Sequence, residues 1–213
     1  MRTKALLLSA ALVALGVASS QAQVYSVNAV GYVNVTIPAG GFAMITNPLD
    51  QGAGNYTVAS LIPSPPEGTI IYKFINGAYE PANFFEFGEW GTPAQTIEPG
   101  EGVFVKTPAG QALTITFVGE VRQAAASNKA LVVGFNMTGS LVPQAGALSA
   151  VLEYPAGEGD LVYRFNKTTQ LYDQVYVFEF GDWGGREPSL DVGEAVFIKP
   201  AAARQWNRDF SVN

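Results

Sequence analysis

Residues 85–91 read Phe-Glu-Phe-Gly-Glu-Trp-Gly, and residues 178–184 repeat them as Phe-Glu-Phe-Gly-Asp-Trp-Gly. The two copies are 93 residues apart. At the same separation, Gly-Glu-Gly-Val-Phe-Val-Lys at 100–106 recurs as Gly-Glu-Ala-Val-Phe-Ile-Lys at 193–199. Segments that recur in the same order predict that one module of about 90 residues is used twice.

Two further matches extend the repeat towards the N-terminus. Residues 70–74 match residues 161–165 at a separation of 91, and we match Asn47 with Asn136 at a separation of 89. Such drift is expected when insertions lie in surface loops. The sequence therefore predicts a first module at 23–121 and a second at 122–213. Residues 113–121 are predicted to be a boundary strand that both modules share.

Each module has the pattern of a β protein. Residues 70, 72 and 74 are large and apolar, and Lys73 interrupts the other face, which is typical of a half-buried strand. Only residues 57–62 and 148–153 favour a helix, and each is ended by a proline, Pro63 or Pro155. We predict an all-β fold of two tandem homologous modules, each a β-sandwich or small barrel with about six strands and one short helix.

Strand alternation also assigns faces to the repeated heptapeptide. We expect its phenylalanines to lie in the core: Phe85, Phe87, Phe178 and Phe180. The intervening Glu86 and Glu179 are then expected to face outward. If the strands are neighbours, Lys73 could pair with Glu86 and Arg164 with Glu179; the alternative is that these charges meet only water.

The N-terminus has the three parts of a secretory signal peptide. Arg2 and Lys4 precede an apolar run at 5–17, and small residues lead to a cleavage site after Ala22. The run is shorter than the roughly 20 residues that span a bilayer. We therefore predict a signal peptide at 1–22, secretion to the periplasm or the exterior, and no membrane insertion of the mature chain.

Composition excludes several classes of function. The net charge is −6, with 12 basic and 18 acidic residues, so nucleic acid is not an expected partner. Histidine and cysteine are both absent, which excludes Ser-His-Asp and Cys-His catalysis, thiolate chemistry and disulfides. The fold must be held by its core alone.

The repeated tryptophans are the best ligand-binding candidates in the sequence. Trp90 and Trp183 each follow an acidic residue, Glu89 or Asp182, and a sugar ring could stack on the indole with the carboxylate beside it. The alternative is that both indoles fill the core, where a tryptophan buries roughly 200 Å².

An enzyme alternative remains in the acidic residues. A glycoside hydrolase needs two carboxyl groups at a defined separation, and carboxylates cluster in both modules. These carboxylates are Glu86, Glu89, Glu98 and Glu101 in the first module and Glu179, Asp182, Glu187, Asp191 and Glu194 in the second. Strand charges of this kind are usually solvated, so we predict that the protein is not an enzyme.

No cofactor is predicted. Calcium is the alternative, because residues 50–55 and 187–191 offer oxygen ligands. Neither segment has the spacing of an EF-hand loop.

Four segments resemble a group of uncharacterised secreted tandem-repeat β proteins of Verrucomicrobia-type bacteria. They are residues 24–33, 41–49, 68–74 and 99–102. The second module departs from the pattern at 134–137, where it reads Gly-Phe-Asn-Met. The resemblance implies export and a bacterial origin, and it implies no activity.

These observations predict a secreted, non-catalytic structural or binding module of a bacterial envelope or extracellular matrix. Its partner would be a glycan, a surface protein or another copy of itself. A carboxylate-based glycoside hydrolase is the alternative.

Overall fold

The computed structural model describes residues 29–123 and 127–212. The predicted signal peptide lies outside this part of the chain. Nearly all regular structure in the described residues is β, as predicted, and it forms antiparallel sheets packed as a sandwich and not a closed barrel. None of the described helices has the length and apolar character that a bilayer crossing requires.

The elements follow the chain in two similar series. The described part of the first series comprises β1 (Val30–Ile37), β2 (Phe42–Thr46), α1 (Val58–Leu61), β3 (Ile70–Ile75), β4 (Ala78–Tyr79), β5 (Asn83–Glu86), β6 (Glu89–Trp90), β7 (Gly102–Lys106) and β8 (Leu113–Glu120). The second comprises β9 (Asn128–Leu131), β10 (Asn136–Gly139), β11 (Gly146–Ala147), β12 (Leu161–Tyr163), β13 (Phe165–Asn166), β14 (Leu171–Tyr172), β15 (Tyr176–Val177), β16 (Ser189–Leu190), β17 (Ala195–Lys199) and β18 (Arg204–Asn207).

Strands of the two series pair in the same order. In the first, β1 pairs with β8, and the larger sheet runs β2-β7-β3-β5-β6. In the second, β9 pairs with β18, and the larger sheet runs β10-β17-β12-β15. Strand β8 pairs with β1 along its whole length. Duplication of the chain, and the sharing of residues 113–121 between two modules, remain predictions.

Strand register corrects one part of the repeat alignment. Met44 lies opposite Phe104 in one sheet, and Met137 lies opposite Phe197 in the other, so both pairs keep the separation of 93. Asn47 therefore corresponds to Ser140 and not to Asn136. The match to Asn136 was wrong because it followed residue type, whereas the corresponding side chains differ. Both nevertheless accept a backbone N–H two residues later, Asn47 through Oδ1 and Ser140 through Oγ.

Three apolar layers hold the sheets together. The first core includes Val35, Ile45, Ile71, Val105 and Phe117, and it joins the β1–β8 ribbon to the first sheet. The second core includes Leu131, Leu148, Val162, Ile198 and Trp206. A central layer lies between the two large sheets; it comprises Met44, Phe104, Met137, Ala195 and Phe197, with Phe42, Tyr72, Phe74, Tyr163 and Phe165 packed against it.

Both faces of each large sheet are thus covered. The alternation in β3 places Tyr72 and Phe74 in the central layer and Ile71 in the first core. Lys73 is 7% exposed, although a strand with one solvated face would have left it in water. A sheet buried on both sides produces runs such as Val103-Phe104-Val105, in which successive side chains enter different layers.

One of the two predicted helices forms. Thr57 caps α1 by accepting the N–H of Ser60, and the helix has a single turn. The equivalent segment at 148–152 forms a turn and not a helix. There, Glu187 accepts the N–H groups of Ser149 and Ala150, so a distant carboxylate supplies the cap.

The two halves meet through reciprocal backbone bonds. Thr46 donates its N–H to Gly193 O at 2.9 Å, and the corresponding Gly139 donates to Gly100 O at 3.2 Å. A Cβ atom at Gly139 would collide with the Thr46 side chain and the Glu194 carbonyl, so glycine permits this close approach. Similar contacts thus run in both directions across the junction, between positions that are 93 residues apart in the chain.

Candidate functional site

The predicted tryptophan platforms are buried. Trp90 is 4% exposed and donates its indole N–H to Ile62 O at 2.8 Å. Trp183 is 7% exposed and donates to Ser149 Oγ at 3.1 Å. The suggestion that these indoles stack on a ligand was therefore wrong, because each ring packs in a core. Glu89 and Asp182 are exposed, and a role for them in ligand binding remains a prediction.

The repeated heptapeptide instead exposes a phenylalanine in each half. Phe85 is buried as predicted, and Phe178 is half-buried. Phe87 and Phe180 are each 96% exposed, so their predicted burial was wrong. The chain reverses at both positions, and strand alternation ends where the turn begins.

Each exposed phenylalanine occupies a strained position at a hairpin tip. Phe87 and Gly88 have φ values of 56° and 81°, and Phe180 and Gly181 have 55° and 81°. Two consecutive positive φ values define the type I′ hairpin turn, which favours Asn-Gly. A bulky residue in the left-handed region costs roughly 1–2 kcal/mol. Because each ring is almost fully exposed, it gains almost no buried contact that would offset this strain.

Carboxylates outside the hairpins fix both tips. Glu67 accepts the Gly88 N–H at 2.7 Å. Glu158 accepts the N–H groups of Phe180 and Gly181 at 3.0 and 2.7 Å. The tips are therefore held rigidly by equivalent contacts in both halves.

The expected ion pairs with the hairpin carboxylates do not form. Lys73 contacts Glu101 at 3.0 Å and donates to Thr96 O at 2.7 Å, while Glu86 is exposed. The pairing of Lys73 with Glu86 was wrong because β7, and not β5, lies beside Lys73 in the register.

The second half repeats the observed pair. Arg164 donates to both carboxylate oxygens of Glu194, at 2.7 and 3.1 Å, and also contacts Asp173 at 3.4 Å. The sequence suggested that Arg164 pairs with Glu179, but Arg164 binds Glu194 and Asp173 and Glu179 is exposed. Burial raises the pKa of Glu194, and the bonds from Arg164 only partly offset it.

An open aromatic groove lies at the junction of the halves. Its volume is about 520 Å³, and it is lined by Phe42, Tyr72, Tyr79, Phe104, Phe165, Gln170 and Tyr172. Tyr79 and Tyr172 are 50% and 46% exposed and form its accessible rim. A groove of this size lies within the range of small-ligand sites, roughly 300–1,000 Å³.

Edge-to-face ring packing builds the groove from both halves. Phe165 packs against Phe104 across the central layer, with ring centroids 5.2 Å apart, and against Tyr172 at 5.4 Å. The equivalent Phe74 packs against Phe197 and Tyr79, both at 5.1 Å. These contacts hold the rings in fixed orientations, so the groove is formed before any ligand arrives.

One cation lies beside the groove. Lys106 Nζ sits 5.3 Å from the centre of the Phe42 ring, and Lys199 lies equivalently 5.4 Å from Phe135. Such contacts are cation–π interactions. The groove is therefore apolar within and has positive charge at one side.

Gln170 closes one end of the groove. Its side chain accepts the N–H of Phe42 at 2.7 Å and donates to Phe42 O at 3.0 Å. The amide thus occupies hydrogen-bonding groups on the outer edge of β2 and is not available to orient a ligand.

The rim tyrosines influence one another. Burial raises the pKa of Tyr172 to about 12, and the nearby Tyr79 adds to the shift. Burial likewise raises the pKa of Tyr79. Both phenols are neutral at physiological pH and can donate or accept a hydrogen bond at the mouth of the groove.

The segments suggested for calcium have internal partners. Asp50 accepts from Tyr56 and from the N–H of Gly52, and it pairs with Arg122 at 3.0 Å. These groups border a hollow of about 900 Å³. Within residues 29–123 and 127–212, no three acidic side chains come together as metal ligands.

Sequence reasoning missed the groove, although a signal was present. Tyr79 and Tyr172 are 93 residues apart, as are Phe104 and Phe197. No protein-family model, curated protein or solved structure matches the chain. The resemblance noted in the sequence therefore remains a prediction.

Proposed function

We propose that the chain is a secreted, non-catalytic structural module of a bacterial envelope or extracellular matrix, and that it acts by binding a protein in the aromatic groove. The groove carries this proposal, since it is an accessible and rigid aromatic surface formed by both halves of the chain. Its export rests on the N-terminal sequence.

The lining of the groove favours binding over hydrolysis. Glycoside hydrolysis needs two carboxyl groups flanking the scissile bond, and the residues that line the groove include no carboxylate. The acidic pairs Glu86/Glu89 and Glu179/Asp182 lie on projecting hairpins, where they do not enclose a substrate.

The same lining favours an apolar side chain over a glycan. Sugar sites combine stacking rings with several free hydrogen-bonding groups. Here the tyrosine hydroxyls are at the rim, and Gln170 is already bonded to Phe42. A protein side chain can satisfy the aromatic interior without further polar partners.

A fluorescent apolar probe tests the site. We expect the purified chain to bind 1-anilinonaphthalene-8-sulfonate, and Tyr172→Ser to weaken binding several-fold. Tyr32→Ser is the matched control, because Tyr32 is 72% exposed on β1 and does not line the groove. Equal dye binding by both variants would contradict the proposed site.

A glycan array tests the class of ligand. The proposal predicts no glycan whose binding depends on Tyr172. A glycan that binds the wild type and the Tyr32→Ser variant, but not Tyr172→Ser, would replace protein by glycan as the ligand.

A further inference from the structure

We propose that the partner in the aromatic groove is the phenylalanine hairpin tip of a second copy of this chain. The inference rests on the proposed function and names the occupant of the same site. It is carried by two complementary surfaces on one molecule, the exposed tips at Phe87 and Phe180 and the open groove.

The tips have the properties of an inserting element. Both phenylalanine rings are 96% exposed, so each offers nearly its whole surface to a partner. Each tip is fixed by a carboxylate of a neighbouring loop, Glu67 or Glu158, so little order must be gained on docking. Both halves keep phenylalanine at a turn position where its backbone is strained.

The groove has the properties of the matching receptor. Its volume of about 520 Å³ accommodates an aromatic ring together with part of the hairpin backbone. Its walls present ring edges and faces, which favour edge-to-face packing with an entering phenylalanine. The rim tyrosines leave it open on the side facing solvent.

Charge gives the docking a direction. Glu86 and Glu89 flank Phe87, and Glu179 and Asp182 flank Phe180. When a tip enters the groove, its flanking carboxylates approach Lys106 beside Phe42. This attraction is local, and salt screens the repulsion between two chains of net charge −6.

The resulting assembly is an open chain of molecules. Tip and groove are different surfaces, so the contact is heterologous and does not close on itself as a twofold contact would. In the part of the chain that the structure describes, the groove allows each copy to accept a neighbour, and the two tips allow it to offer itself to others. Such growth suits a structural module of a matrix.

Sedimentation velocity tests the proposal with two complementary variants. Phe87→Ser/Phe180→Ser removes both tips without touching a buried residue, and Tyr172→Ser alters the groove. The wild-type chain should form oligomers over about 1–100 µM, the range of a small transient interface. Each variant alone should remain monomeric. Their equimolar mixture should form complexes, because one supplies grooves and the other supplies tips.

The outcomes separate this inference from the proposed function. A wild type that is monomeric at about 100 µM, or a variant mixture that never associates, would overturn tip docking. If dye binding still depended on Tyr172 in that case, the groove would stand as a site for another protein. Circular dichroism and thermal unfolding establish that each variant is folded, and the Tyr32→Ser control should associate as the wild type does.

Discussion

The substitution Phe87→Asn should stabilise the fold although it removes a large apolar side chain. The ring is 96% exposed, so its loss gives up almost no buried area. The backbone at position 87 has a φ of 56°, where a bulky residue costs roughly 1–2 kcal/mol and asparagine is tolerated. Asn-Gly is also the favoured pair for a type I′ turn.

We expect a gain of about 1 kcal/mol in the free energy of unfolding, which is a rise of roughly 2–4 °C in Tm for a domain of this size. Urea and thermal unfolding followed by circular dichroism measure both quantities. Phe180→Asn should give a similar gain, because Phe180 has a φ of 55° and the same exposure.

Two controls isolate the cause. Phe87→Ala removes the ring but keeps a Cβ atom in the left-handed region, so its effect should stay within about 0.5 kcal/mol of zero. Phe85→Ala, two residues away in the first core, should cost about 3–5 kcal/mol. A loss of more than about 0.5 kcal/mol in Phe87→Asn would refute the reasoning, since the ring would then stabilise the monomer.

Three other perturbations test the interior, the groove and the junction. Lys73→Ala should lower the free energy of unfolding by about 2–3 kcal/mol in a urea titration, because the half-buried Glu101 loses its ion-pair partner and Thr96 O loses a hydrogen-bond donor; a loss below about 1 kcal/mol would contradict this. The raised pKa of Tyr172 gives a contribution to stability that is complete below pH 10.0 and is lost as the pH rises towards about 12. Ultraviolet titration should show one fewer late-ionising phenol in Tyr172→Phe than in the wild type, while the other tyrosines with a raised pKa stay late in both; equal late-ionising fractions would exclude burial of Tyr172. Gly139→Ala should cost about 1–3 kcal/mol or more by thermal unfolding, because the new methyl group separates the halves; a neutral effect would show that the junction is loose.

The fold class could be predicted because local pattern determines it. Strand alternation and frequent turns indicated an all-β fold of sandwich or small-barrel modules, and Phe85, Trp90 and Trp183 are buried as the apolar pattern allowed. The face of Lys73 could not be predicted, because burial on both faces depends on how the two large sheets pack.

The groove and the tips escaped prediction for different reasons. Tyr79 and Tyr172 are far apart in the chain and come together only where the two halves of the structure meet. The period-two pattern of its strand predicts that Phe87 is buried, but the hairpin turn begins at Phe87 itself. Gly88 marks a turn in the sequence without showing that the residue before it also has a positive φ. Local patterns predict elements well, whereas contacts between halves depend on register and turn geometry.

Disulfide trapping tests most directly whether the groove receives a tip. The chain contains no cysteine, so introduced thiols have no competing partner. Chains carrying Glu89→Cys beside the tip and chains carrying Leu171→Cys beside the rim, which both keep Phe87 and Tyr172, are mixed under mild oxidation. The account predicts a covalent dimer that forms at least about tenfold faster than with Tyr32→Cys as the partner, because docking raises the effective thiol concentration. Equal rates for the two pairs would contradict it.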